Sequence, residues 1–145
     1  MKRTIMLMAT MALTVLLACG VAVAAEIQCT GDVDCFGTNQ ADTLTGTAEG
    51  DTIYGLGGPD IILGLAGSDF ISGGSGGDEI RGGTGGDQID AGNGDDTVIG
   101  GSGIDIIDVS GDQQYGFQDE VFCGVGDEDL VEFDDNDILH NCILI

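Results

Sequence analysis

The sequence predicts an all-β fold: a right-handed parallel β-roll, or β-solenoid, of 18-residue coils with capped ends. Three observations over residues 37–108 support this prediction: a nine-residue period in Asp, an aliphatic residue two positions after each Asp, and glycines in the same register. A fixed period of this kind is typical of repeat architectures, in which each unit buries its apolar side chain only against neighbouring units.

The repeat unit is G-G-x-G-x-D-x-U-x, where U is aliphatic. The periodic acids are Asp42, Asp51, Asp60, Asp69, Asp78, Asp87, Asp96 and Asp105. The aliphatic residues are Leu44, Ile53, Ile62, Ile71, Ile80, Ile89, Val98 and Ile107. The residues five positions before each Asp are Gly37, Gly46, Gly55, Gly64, Gly73, Gly82, Ala91 and Gly100. Gln40 and Glu49 replace the glycine that stands two positions before Asp in the other units.

Each unit is expected to form a six-residue turn followed by a short strand such as Glu79-Ile80-Arg81. Glycine allows the positive φ angles and close backbone approaches of the turn, and the middle side chain of the strand points inward. Two units make one coil, so Ile62 stacks on Ile80 in one sheet and Ile53 on Ile71 in the other. Eight units give four coils.

This geometry places the acids along two edges of the roll. Asp60, Asp78 and Asp96 line one edge, and Asp51, Asp69, Asp87 and Asp105 line the other. Two carboxylates about 5 Å apart repel by about 3 kcal/mol at an effective dielectric constant near 20. Calcium prefers six to eight oxygen ligands in a flexible arrangement, and a calcium ion between successive turns would reverse the sign of this interaction.

The unit resembles the hemolysin-type (RTX) calcium-binding nonapeptide repeat, a motif with a known calcium role. The resemblance implies Ca²⁺ as cofactor, bound by Asp carboxylates and turn carbonyls of same-edge neighbours. The preferred pairs are Asp60/Asp78, Asp69/Asp87, Asp78/Asp96 and Asp87/Asp105. Asp51 and Asp42 are weaker candidates because their turns contain Glu49 and Gln40. The enzymatic activities of longer relatives are not carried over to this chain.

Composition narrows the function classes further. A formal net charge of -23, from 26 acidic and 3 basic residues, disfavours nucleic acid and anionic membranes as partners. The repeats contain neither His nor Cys, so a zinc or copper site is not expected there. His140 is the only His and has no evident Ser or Cys partner for a triad. We therefore predict no enzyme and no small-molecule substrate.

The N-terminal residues 1–24 have the pattern of a secretory signal peptide. Lys2 and Arg3 precede the apolar segment from Ile5 to Leu17, and Ala22-Val23-Ala24 supplies small residues before Ala25. A retained membrane anchor is the alternative, and Leu16-Leu17-Ala18-Cys19 resembles a bacterial lipobox that would lipidate Cys19. The expected location is secreted, extracellular or at the cell surface, with membrane attachment only if Cys19 is lipidated.

Removal of the signal peptide leaves four cysteines, an even number that suggests disulfides in a small exported domain. Three connectivities are possible. We predict Cys29–Cys35 and Cys123–Cys142, one at each end of the repeat array; a metal site is the alternative.

Both ends of the array are expected to be caps. Residues 25–36 form an N-terminal cap, with Ile27 and Phe36 covering the first coil. In residues 109–145 a five-residue insertion precedes degenerate repeats with Asp119, Glu128 and Asp137, each followed by an aliphatic residue: Val121, Leu130 and Leu139.

The predicted function is calcium ion binding by an exported repeat protein that is disordered without Ca²⁺, folds on binding it, and has a structural or cell-surface role. The alternative is an adhesion or recognition module with an extracellular partner. It would use an exposed apolar strip formed by Tyr54, Ile61, Leu63 and Phe70, together with Leu56 and Leu65 in the turns.

Overall fold

The computed structural model describes residues 24–30, 34–110, 116–124 and 128–142. These residues form thirteen strands, and none of them belongs to a helix long and apolar enough to cross a membrane. The strands are β1 (Glu26–Gln28), β2 (Cys35–Phe36), β3 (Thr43–Thr45), β4 (Thr52–Gly57), β5 (Ile61–Ala66), β6 (Phe70–Ser75), β7 (Glu79–Thr84), β8 (Gln88–Asn93), β9 (Thr97–Ser102), β10 (Ile106–Asp108), β11 (Glu120–Gly124), β12 (Leu130–Glu132) and β13 (Ile138–His140).

Successive strands alternate between two parallel sheets. Sheet A contains the odd-numbered strands in the order β1-β3-β5-β7-β9-β11-β13, and sheet B contains the even-numbered strands from β2 to β12. Each strand pairs in parallel with the strand one coil away, as Ile62 does with Ile80 and Ile53 with Ile71. The predicted β-solenoid is therefore confirmed, with coils of about 18 residues and about six turns.

The core is a stack of single aliphatic side chains, one from each strand from β3 to β10. Leu44, Ile53, Ile62, Ile71, Ile80, Val98 and Ile107 are 0% exposed, and Ile89 is 1% exposed. The residues on either side of each core residue point outward, because side chains alternate along a strand. Because this core is narrow, the stability of the roll also depends on the Asp turns along its two edges.

The central strands are longer than the three residues that the sequence predicts. Strands β4 to β9 have six residues each, because parallel pairing continues through the first half of the turn. Glycines at the second repeat position take positive φ there, for example Gly83 at 118°. Leu56 and Leu65 occupy the same position with φ of 77° and 82°, a left-handed conformation that costs roughly 1–2 kcal/mol for an L-residue.

The structure corrects the predicted register of the C-terminal coils. Val131, not Leu130, pairs with the core residue Ile107, and the Leu130 side chain is 47% exposed. The acid two positions before Val131 is Asp129, so the prediction of Glu128 at this position was wrong. One additional residue between Asp119 and Asp129 lengthens the repeat from nine to ten residues, so a strict nine-residue spacing points to Glu128 instead.

The N-terminal cap also differs from its prediction in one residue. Ile27 packs against the core as expected. Phe36 does not cover the core: it is 53% exposed and stacks on Tyr54, with ring centroids 5.1 Å apart. Its neighbour Cys35 takes the inward position opposite Ile53, because the two residues of β2 point to opposite sides of sheet B.

Both predicted disulfides, Cys29–Cys35 and Cys123–Cys142, are present in the structure. The first lies at the N-terminal end, where β1 and β2 begin the two sheets. The second joins the end of β11 to the residues that follow β13. Each bond therefore closes an end of the roll where a coil has a neighbour on one side only.

Replacing both Cys123 and Cys142 by Ser should lower the free energy of unfolding by about 3 kcal/mol in saturating calcium, because the bond closes a segment with a sequence separation of 19. The matched Cys29→Ser/Cys35→Ser variant should lose less, about 2 kcal/mol, because its separation is only 6. Urea unfolding followed by circular dichroism measures both values. An equal or reversed order would contradict this assignment.

Candidate metal centre

The acidic residues form one ladder along each edge of the roll. Edge 1 denotes the turns that carry Asp42, Asp60, Asp78, Asp96, Asp119 and Asp137, and edge 2 the turns that carry Asp51, Asp69, Asp87, Asp105 and Asp129. The structure thus brings together the same-edge pairs predicted from the sequence. The side chains of these residues from Asp42 to Asp129 are at most 6% exposed.

Neighbouring acids on an edge are linked by hydrogen bonds. The backbone N–H of Asp60 donates to Oδ1 of Asp78 at 2.8 Å, and the N–H of Asp78 donates to Oδ1 of Asp96 at 2.7 Å. On edge 2, the N–H of Asp69 donates to Oδ1 of Asp87 at 2.9 Å. Each carboxylate therefore orients the turn of the preceding coil through one of its two oxygens.

The second oxygen of the central acids is buried and lacks a hydrogen-bond partner among the described residues. This is true of Oδ2 in Asp60, Asp69, Asp78 and Asp87. Burying a polar group without a partner costs free energy, and an ionised carboxylate costs more than a neutral group. An orphaned oxygen repeated at equivalent positions can be satisfied by a proton, a water molecule or a cation.

A carbonyl oxygen of the next coil lies near each orphaned oxygen. A Cβ atom placed on Gly64 would lie 2.4 Å from both Asp69 Oδ2 and the Gly82 carbonyl oxygen. At Gly55 the corresponding distances are 2.6 Å to Asp60 Oδ2 and 2.4 Å to the Gly73 carbonyl oxygen. Glycine at the first repeat position therefore lets carboxylate and carbonyl oxygens from adjacent coils approach the same place.

Desolvation makes the charged form of these acids unfavourable. Burial raises the pKa of Asp60 to about 6; the hydrogen bond from Asp42 opposes this rise, and the charges of Asp78 and Asp42 add to it. Burial is also the largest cause that raises the pKa of Asp69, Asp78 and Asp87. A nearby cation would favour the ionised form of all four carboxyl groups.

The first acid of each edge differs from the central ones because a threonine occupies the second repeat position. Oδ2 of Asp42 accepts hydrogen bonds from the N–H and the Oγ1 hydroxyl of Thr38, at 2.6 and 2.8 Å. Oδ2 of Asp51 accepts the same two bonds from Thr47, at 2.6 and 3.0 Å. These threonines, four residues before Asp, are the sequence signal that marks the two turns as different.

The ladder also continues beyond the eight regular repeats. The N–H of Asp96 donates to Asp119 Oδ1 at 2.8 Å, and the N–H of Asp105 donates to Asp129 Oδ1 at 2.9 Å. At the end of edge 1, both oxygens of Asp137 accept backbone N–H groups, from Asp119 and Asp134. Asp129 was missed from the sequence; its Asp-x-Val pattern was the available signal once a ten-residue spacing is allowed.

Metal ligands at these edges would include main-chain oxygens. Across the described segments, no three His, Cys, Asp or Glu side chains converge on a common metal position. Around Asp60, Asp69, Asp78 and Asp87, each turn instead combines one orphaned carboxylate oxygen with nearby carbonyl oxygens. An all-oxygen donor set of this kind suits Ca²⁺ and is poorly matched to metals that prefer sulfur or imidazole.

Comparison with protein families agrees with this geometry. The family model described as RTX calcium-binding nonapeptide repeat (4 copies) matches the chain twice, over residues 36–71 and 72–107. Searches of curated proteins and of solved structures gave no match. The matched segment contains the eight regular acids from Asp42 to Asp105. Through residues 36–107, the chain belongs to the RTX calcium-binding nonapeptide repeat family, whose repeats imply calcium binding in a β-roll.

Proposed function

We propose that this protein is an exported β-roll that folds on binding Ca²⁺ and has a structural or cell-surface role. The observation that carries the proposal is the buried Oδ2 atom without a hydrogen-bond partner in Asp60, Asp69, Asp78 and Asp87. Four equivalent desolvated carboxylates require compensation, and Ca²⁺ supplies two positive charges and accepts additional oxygen ligands when bound.

The proposed ligands are the four central acids, Asp60, Asp69, Asp78 and Asp87, together with Asp96, Asp105 and turn carbonyls. Asp51 is a weaker candidate because Thr47 occupies one of its oxygens. Asp42 is the weakest because protein donors reach both of its oxygens, from Ala25 and Thr38. We expect Asp42 to act mainly as a structural hydrogen-bond acceptor.

Coupling of folding to calcium follows from the small core. Each coil buries only one aliphatic side chain per strand, while it brings a carboxylate into a desolvated position on each edge. The unfolded chain keeps those carboxylates hydrated and apart. Because structural metal binding contributes its free energy directly to folding, a roll of this composition should depend on its ions.

Export is supported by the signal-like pattern of residues 1–24, most of which lie outside the described residues, as does Cys19. The two disulfides support it independently, since structural disulfides persist mainly in oxidising compartments. Extracellular calcium modules bind with dissociation constants of about 10⁻⁴ to 10⁻³ M, so the ion would bind after export rather than before it.

A recognition role is the second candidate, and the structure revises its surface. Tyr54 and Phe70 lie on the outer face of sheet B, whereas Ile61 and Leu63 lie on the outer face of sheet A. The predicted strip is therefore two separate patches. On sheet B, Phe36, Tyr54 and Phe70 form an aromatic cluster with centroid distances of 5.1 and 5.8 Å.

The same face of sheet B carries a column of acids. Asp90 pairs in register with Asp108, and Asp108 with Glu132, so three carboxylates lie on adjacent strands. The exposed side chains of Ile106 and Leu130 lie beside them, 48% and 47% exposed. An aromatic and aliphatic surface flanked by carboxylates favours a partner that combines apolar and basic residues.

Calcium titration tests the main proposal. In excess chelator at pH 7.5, the far-ultraviolet circular dichroism spectrum should lack strand signal, because the ladder carboxylates repel and remain hydrated. Added Ca²⁺ should restore the signal with a midpoint of about 10⁻⁴ to 10⁻³ M. A complete strand spectrum in chelator would contradict calcium-dependent folding.

Asparagine substitutions should distinguish ligands from structural acids. Asp78→Asn keeps the Oδ1 acceptor for Asp60 but removes the charge of the orphaned oxygen, so it should reduce the number of bound ions measured by isothermal titration calorimetry. Asp42→Asn is the matched control and should leave that number unchanged. If both variants reduced the number of bound ions equally, the proposed distinction between Asp78 as a calcium ligand and Asp42 as a structural acceptor would be contradicted.

Protons should partly replace calcium. The pKa of Asp60 is about 6 in the fold, above the value of 3.8 expected for the unfolded chain. The folded state therefore binds more protons between these values, and stability falls as pH rises through about 6. Metal-free protein should gain strand signal as the pH is lowered from 7.5 to 5, and Asp60→Asn should weaken this dependence. Stability that rises with pH would contradict the assignment.

The sheet B surface can be tested with a fluorescent amphipathic peptide of Leu and Lys, measured by anisotropy in saturating calcium. Replacing Asp90 and Asp108 by Asn and Glu132 by Gln should weaken its binding by about tenfold, because each of the three exposed contacts is worth about 0.5 kcal/mol.

The matched control changes the same number of charges on sheet A, through Glu26→Gln, Glu79→Gln and Glu120→Gln. It should leave binding nearly unchanged. Equal losses in the two triple variants would show that the peptide responds only to net charge, and the recognition role of sheet B would be rejected.

A further inference from the structure

Ala25 occupies the first position of the edge 1 ladder. Its backbone nitrogen donates a hydrogen bond to Asp42 Oδ1 at 2.9 Å, and its carbonyl oxygen accepts one from the N–H of Thr43 at 2.8 Å. The next step of the ladder repeats the first bond, with the nitrogen of Asp42 donating to Asp60 Oδ1 at 2.8 Å. Ala25 therefore stands where an Asp would stand in a regular coil.

The surroundings of Asp42 differ from those of the central ladder acids in one respect. Its side chain is 2% exposed, yet both of its oxygens accept hydrogen bonds from protein donors, namely Ala25 on one side and Thr38 on the other. These bonds provide both carboxylate oxygens with hydrogen-bond donors. They leave its negative charge uncompensated as long as the Ala25 nitrogen belongs to a neutral peptide bond.

The sequence predicts that Ala25 becomes the first residue after signal-peptide removal. Its nitrogen would then be an α-ammonium group, which is mostly protonated at neutral pH because its usual pKa is about 7.7–8.0. Ala24, on the other side of the bond to be cleaved, is exposed. The same atom would keep its hydrogen bond and gain a charge.

We propose that cleavage before Ala25 creates an ammonium group at Ala25 that serves as the cation for Asp42, the first acid of edge 1. In the mature protein the Ala25 ammonium group would pair with the buried Asp42 carboxylate. It would compensate the negative charge of Asp42, as Ca²⁺ is proposed to do for the central acids. Charge-assisted hydrogen bonds are roughly twice as strong as neutral ones. Maturation would therefore stabilise the N-terminal end of the roll, and Asp42 would need no metal ion. This inference rests on the export part of the proposed function.

The experiment compares two forms of residues 25–145 that differ in one group. In one form Ala25 has a free amino group, released from a fusion by a protease that leaves no extra residue. In the other the amino group is acetylated, which keeps an N–H donor but removes the charge. At a fixed calcium concentration near the folding midpoint, the free form should have an equilibrium constant for folding about fivefold larger.

Substitutions locate the source of that difference. Asp42→Asn should abolish the advantage of the free amino group, whereas Asp51→Asn, on the other edge, should leave it intact. Equal stability of the free and acetylated forms, a comparison that requires no substitution, would overturn the proposal. Persistence of the advantage in Asp42→Asn would overturn it as well, because the charge would then act elsewhere.

The N terminus of the exported protein is the other test. Intact mass of the full chain, expressed with its leader and recovered after export, should correspond to residues 25–145 with two disulfides. A lipid-modified N terminus at Cys19, or cleavage at another bond, would overturn the proposal even if the calcium titration showed the expected folding transition. Failure of the calcium titration with correct cleavage would instead contradict the proposed function alone.

Discussion

The structure depends on a carboxylate that does two things at once. From Asp60 onward, one oxygen of each ladder Asp accepts the N–H of the preceding Asp on its edge, so the side chain makes a hydrogen bond between coils. The other oxygen of the central acids is turned into the roll, away from water. Because the first contact holds the second oxygen in place, the coils cannot stack without desolvating a charge.

The ladder meets this cost differently at its ends and in its centre. At the ends of edge 1, the oxygens of Asp42 and Asp137 are satisfied by donors of the protein itself. The central glycine turns provide carbonyl oxygens close to the orphaned carboxylate oxygens, which is the environment of a hard cation. The family match over residues 36–107 includes the central turns and the turn of Asp42, whereas Asp137 lies beyond it.

The outer surfaces of the two sheets are free to differ because neither contributes to the core. Sheet A presents Arg81, the only Arg after Arg3 in the sequence, paired with Glu79 at 2.6 Å. Sheet B presents an aromatic cluster at one end and a column of acids toward the other. A regular core with dissimilar faces is characteristic of solenoids, whose outward positions can change without altering the stacking.

The sequence by itself determined the period, the parallel roll, the core residue of each regular strand and the edge on which each Asp lies. These features follow from local spacing, because every coil repeats the same contacts. Only the tertiary structure decided which oxygens of Asp42 and Asp78 have hydrogen-bond partners. Asp42 accepts from Thr38 and Ala25, and Asp78 accepts from the preceding coil. It also placed Asp129 rather than Glu128 in the ladder, because contacts between coils, not the nine-residue period, decide where an inserted residue is accommodated. It separated Tyr54 from Ile61 as well, because the two residues lie on the outer faces of different sheets.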